Sequence, residues 1–127
     1  MKLAVAAVTA AMMMSAGAVA QTGHYQEIVD VCVGSGDPTA TPDYCACSAG
    51  KLTSLSDTDQ VLLVEFTKWS LANANPTEEQ KKLLFADLKA RTGLATDEEI
   101  GTHLTVVGNA ATAADEACMP PAPALAQ

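Results

Sequence analysis

Apolar residues recur along this chain at helical spacing. Tyr25, Ile28, Val29 and Cys32 fall at i, i+3, i+4 and i+7, one face of a helix that Gly34-Ser35-Gly36-Asp37-Pro38 must end. Thr41-Pro42-Asp43-Tyr44 then predicts a second start. Thr41 can cap, Pro42 suits the first helical position and Asp43 complements the helix dipole. That helix carries Cys45, Ser48, Ala49 and Leu52 on one stripe, with Gly50 as its weak point. Ser56-Asp57-Thr58-Asp59 resembles a capping box with Asp in place of Glu or Gln, and opens a third helix. Leu62, Phe66 and Trp69 form its apolar ridge, thickened by Val61, Leu63 and Val64.

Asn75-Pro76, with Glu78 behind them, predict the next start, with Asn75 as cap. The fourth helix should bury Leu84, Phe85 and Leu88, and Gly93 is placed to close it in the left-handed conformation. Thr96-Asp97-Glu98-Glu99 is a further capping box. Behind it Ile100, Leu104, Val107, Ala111, Ala114 and Cys118 alternate steps of four and three. No stretch alternates with period two for long enough to make a strand. The pattern predicts an all-α bundle of about five helices over residues 21–118, with a disordered Pro/Ala-rich tail at 119–127.

Residues 1–20 follow a different rule. Lys2 precedes an apolar, alanine-rich run from Leu3 to Met14, and Ala18-Val19-Ala20 supplies the small residues a signal peptidase reads. The competing possibility is a membrane anchor, but the run is interrupted by Thr9, Ser15 and Gly17 and has no basic stop behind it. Export with cleavage before Gln21 is expected, and hence a periplasmic or secreted protein with no stable membrane insertion afterwards. Met12, Met13 and Met14 belong to the signal.

Charge narrows the partners. The formal net charge is −8, and loss of Lys2 with the signal takes it to −9. The six remaining bases (Lys51, Lys68, Lys81, Lys82, Lys89, Arg91) form no dense patch. Nucleic acid and anionic lipid both need Lys or Arg to replace counterions, so neither is expected as a partner.

All four cysteines, Cys32, Cys45, Cys47 and Cys118, lie in the mature part. An even count in a short exported domain predicts a disulfide framework. Residues two apart on a helix point about 200° from each other, so Cys45 and Cys47 cannot readily bond together. Two pairings remain. Cys32–Cys45 with Cys47–Cys118 is preferred, because the 12-residue loop between Cys32 and Cys45 lets the first two helices form a hairpin.

Two chemical alternatives compete with that scaffold. Cys45 and Cys47 could present thiolates to Cu(I) or Zn(II), with His24 and His103 completing a site. Against this, the spacing is not Cys-x-x-Cys, His24 sits at the start of the first helix, and His103 flanks the apolar stripe of the last. A thiol-redox enzyme would want Cys-x-x-Cys at a helix N-terminus within a βαβ fold, and only the helix N-terminus is present. Asp57, Asp59 and Glu65, like Asp97, Glu98 and Glu99, sit where first-turn acids are expected for dipole reasons. No nucleophile elbow or phosphate loop occurs. No catalytic residue and no cofactor is therefore expected. Phe66 and Trp69, at helical spacing beside Leu62, are expected in the core.

Tyr44-Cys45-Ala46-Cys47, then Leu52 and Ser56-Asp57-Thr58-Asp59, resembles a pattern of small exported helical proteins of Gram-negative bacteria that have no assigned activity. The resemblance covers about 16 residues of this chain. It implies a helical periplasmic domain and transfers no catalytic residue. Exported helical acid-stress chaperones share the size and the disulfide habit, but their single bridge and motifs are missing. The expectation is a non-enzymatic periplasmic or secreted interaction module that binds a protein or a small apolar ligand.

Overall fold

The computed structural model describes residues 23–119. The expected signal segment and all but the first residue of the expected tail lie outside the described residues. Five helices follow one another: α1 (Tyr25–Val33), α2 (Pro42–Leu52), α3 (Asp57–Ala72), α4 (Glu78–Thr92) and α5 (Asp97–Cys118). There is no strand among the described residues.

Four of the five starts are set by a side-chain cap, α1 being the exception. The hydroxyls of Thr41, Ser56, Thr77 and Thr96 accept from the backbone amides of Tyr44, Asp59, Gln80 and Glu99. These are donors that a helix leaves unsatisfied in its first turn. At α4 the expected cap moves by two residues. Thr77, not Asn75, takes the position, because Gln80 can reach back to the Thr77 amide at 2.8 Å and close a reciprocal box. At α3 the box stays half-formed. Ser56 caps, but the Asp59 carboxylate accepts from His103 of α5 instead of turning back on its own helix. Gly93 ends α4 at φ +79°, where a side chain would be strained.

α3 and α5 form the centre of the bundle. α1 and α2 pack on one side of them and α4 on the other. The core is accordingly double. Ile28, Ala49, Leu52, Val64 and Ala114 form one cluster between the α1–α2 hairpin and the central pair. Leu62, Leu84, Leu88, Ile100 and Val107 form the second beneath α4. Leu62 and Val64 are two residues apart on α3 and point in nearly opposite directions, so one helix feeds both clusters. This explains the unbroken Val61-Leu62-Leu63-Val64 run: a helix covered on two sides needs no single apolar stripe.

One expectation fails here. Leu62 is fully buried and Trp69 packs at the edge of the second cluster, but Phe66 is 36% exposed. Phe66 lies four residues beyond Leu62, about 40° round α3 from it, and its ring is tilted beside Trp69 with centroids 6.1 Å apart. α2, by contrast, buries all four residues of its stripe, Cys45, Ser48, Ala49 and Leu52.

Candidate functional site

The cysteines form two bridges. Cys32 is joined to Cys45 and Cys47 to Cys118, with Cα separations of 5.7 and 5.8 Å. These are ordinary disulfide spacings. Both emanate from the first two turns of α2, one turned inward to α1 and one outward to the end of α5. The environments differ: Cys45 is completely buried, whereas Cys47 lies on the surface. Two closed bridges fit an oxidising, extracytoplasmic compartment. No helix among the described residues is long and apolar enough to cross a membrane.

The residues considered for a metal site are dispersed by this arrangement. The sulfurs of Cys45 and Cys47 are held in separate disulfides and offer no thiolate. His24 precedes α1, between Glu27 and Asp57. His103 lies on α5 and binds Asp59 at 2.6 Å. Among the described residues no group of three His, Cys, Asp or Glu could hold an ion.

The two histidines act alike in one respect, since each holds the first turn of α3. His24 places one ring nitrogen on Glu27 and the other 2.9 Å from Asp57. The Glu27 hydrogen bond, opposed by partial burial and helped by Asp57, raises its pKa above the ordinary histidine value. The backbone amide of His24 donates to Gln60, whose own amide donates to the carbonyls of Thr53 and Leu55 at 3.2 and 2.8 Å. Gln60 is thus satisfied at 4% exposure and splices the start of α1 to the α2–α3 turn. Gly23 completes this junction. Its φ is +71°, and a Cβ there would meet the Gln60 oxygen at 2.7 Å.

On the far side of the hairpin lies the feature best suited to holding a ligand. A cleft of about 150 Å³ opens between α1, α2, α3 and α5. Ile28, Val31, Leu52, Leu63 and Val64 supply its apolar wall, and the Cys32–Cys45 bridge forms part of its rim through Cys32. The polar residues at its border are Tyr44, Ser48 and Thr67. Tyr44 donates to Asp115 of α5, a bond that spans 71 residues and pins the α2 start against the last helix. That bond, reinforced by partial burial and eased by Ser48, raises the Tyr44 pKa, so the phenol keeps its proton at neutral pH. Few polar groups around an aliphatic hollow is the usual make-up of a small-molecule site.

A second hollow, wider and shallower, lies between α3 and α4 and is bordered by Trp69, Leu83, Leu84, Lys68, Glu65 and Asp87. Its charged groups belong to opposed pairs, Lys68 with Glu65 and Arg91 with Asp87. The cleft beside the bridge is the more enclosed of the two, and its walls are fixed covalently.

The sequence identifies Ile28, Cys32, Ser48, Leu52 and Val64 as buried-face residues, but not that they border a hollow. It gives no sign of Thr67, and it presents Asp59 as an ordinary first-turn acid. Compared with known proteins, the chain matches no family model, no curated protein and no solved structure.

Proposed function

We propose that this is a non-enzymatic binding protein of the periplasm or secreted space, a disulfide-stapled helical scaffold that holds a small apolar ligand. The observation that carries this is the cleft of about 150 Å³, walled by aliphatic side chains from four helices and framed by the Cys32–Cys45 bridge. Hollows of about this volume lined by Leu, Ile and similar residues admit guests the size of benzene. Pre-formed walls lower the ordering cost of binding, because the bridges already restrict the helices that the guest must separate.

The amino-terminal segment supports export, and the bridges support an oxidising destination. The acidic composition favours solubility in that compartment. No group in the cleft is arranged as nucleophile and base: Tyr44 is spent on Asp115, and neither histidine borders the hollow.

Benzene is a sufficient probe. Titrated into the oxidised protein, it should shift the methyl resonances of Ile28, Val31, Leu52, Leu63 and Val64 while leaving those of Leu83 and Val106 unmoved. A spectrum unchanged at saturating benzene, or shifts spread evenly over the surface, removes the proposal.

A further inference from the structure

The lining of the cleft carries no charged side chain, so the charges just beyond its border select among guests. No Lys or Arg lines it. Its polar border is the Tyr44 hydroxyl, committed as a donor to the Asp115 carboxylate. Asp37, in the loop between α1 and α2, stands near enough to act on the same phenol. The wider neighbourhood repeats the pattern. α1, the α1–α2 loop, α2 and the end of α5 carry Glu27, Asp30, Asp37, Asp43, Asp115 and Glu116 against the single base Lys51. The other bases of the helical domain sit on α3 and α4, where Lys68, Lys81, Lys89 and Arg91 are already matched by acids.

A guest that buries an aliphatic body among Ile28, Leu52, Leu63 and Val64 must leave its head group at this acidic border. A carboxylate or phosphate there meets the Asp115 carboxylate held by Tyr44, with Asp37 acting at longer range from the adjoining loop, and no compensating base. An ammonium meets the opposite charge of Asp115, whose second oxygen can accept from it, and is favoured at longer range by Asp37. We propose, as a refinement that rests on the apolar-ligand reading, that the cleft takes a small organic cation, an aliphatic body of about six carbons bearing an ammonium head at the Tyr44–Asp115 border.

Three probes of one length separate head from body: hexylammonium, 1-hexanol and hexanoate, each titrated into the oxidised full-length mature protein at neutral pH and followed by the same methyl resonances. Hexylammonium should bind about tenfold more tightly than hexanoate at low salt, with hexanol between them. Raising the ionic strength should narrow the gap, since the border is exposed to solvent. Asp115→Asn should bring the two charged probes to within about twofold of each other, because the amide keeps an acceptor for Tyr44 and loses the charge. Asp37→Asn, in an exposed loop outside the core, should narrow the gap independently, so the outcome does not depend on how well Asp115→Asn folds. Hexanoate binding as tightly as hexylammonium, or a gap untouched by both substitutions, overturns the cation preference. So does a protein that binds benzene and none of the three hexyl probes. If benzene fails as well, the apolar-ligand reading falls with it.

Discussion

The two bridges close loops of very different length, and this sets what each contributes. Cys47–Cys118 spans a sequence separation of 71, Cys32–Cys45 only 13. Restricting the unfolded chain by a loop of the first size is worth about 4.4 kcal/mol, against about 3 kcal/mol for the second. The long bridge gives the cleaner experiment. Cys47 is exposed and Cys118 half-buried, so alanine at both leaves no cavity. The Cys47→Ala, Cys118→Ala double variant should therefore lose about 4 kcal/mol by loop entropy alone. A domain of this size holds about 5–15 kcal/mol in total, so the variant should still fold, with a melting temperature lower by roughly 15–30 °C. Urea unfolding of the oxidised proteins, followed by far-UV circular dichroism, measures the difference. The slope with urea should rise as well, because an unfolded chain freed of its long loop exposes more surface. A loss below about 1.5 kcal/mol with an unchanged slope would refute the reasoning, since residual structure would then restrain the unfolded chain without the bridge.

Burial sets the order in which the bridges yield. Under limiting dithiothreitol, Cys47 and Cys118 should be alkylated before Cys32 and Cys45, because Cys47 is exposed whereas Cys45 is fully buried and its bridge offers only the half-buried Cys32 sulfur; peptide mapping that finds the reverse order contradicts these environments. His24 is held above its ordinary pKa chiefly by Glu27, so its contribution is complete below the unfolded value and is lost as pH rises through the raised folded one. The wild type should accordingly lose a few tenths of a kcal/mol more than His24→Gln between pH 6 and pH 8.5, a small effect because solvent screens the site; equal pH slopes in urea midpoints count against it. Leu62→Ala should cost about 3–5 kcal/mol and Phe66→Ala about 1–2 kcal/mol, and calorimetry that reverses this order would contradict the burial of the two side chains.

How far the fold can be read from the sequence depends on how local each signal is. Thr41-Pro42-Asp43 and Thr96-Asp97-Glu98-Glu99 act within one turn, and both helices begin where those residues place them. The start of α4 differs from expectation because Asn75-Pro76 and Thr77-Glu78-Glu79-Gln80 offer overlapping local solutions. The choice between them rests on the longer reach of Gln80, which also donates to Asn73 at 3.4 Å. Phe66 departs from expectation for a different reason. Periodicity shows which residues share a face of α3, but how wide a part of that face is covered is set by the neighbouring helices, and no residue of α3 records this.

The cleft and the histidine pairs are hidden by the same physics. His24 meets Asp57 across 33 residues and His103 meets Asp59 across 44, so neither pair has a spacing that could announce it. One trace exists: Asp59 stands where a capping box wants a Glu or Gln, and its shorter side chain is free to serve another helix. The cleft leaves no trace at all, because its walls come from four helices and each wall residue looks, on its own helix, like core. The separation of Cys45 from Cys47 into different bridges is a partial exception. Two cysteines at i and i+2 cannot readily join each other on a helix, and that local prohibition sends both to other helices, removing one of three pairings and leaving two open. Long-range structure is legible only where a short-range geometry forbids the local alternative, and the cleft-lining residues carry no comparable prohibition.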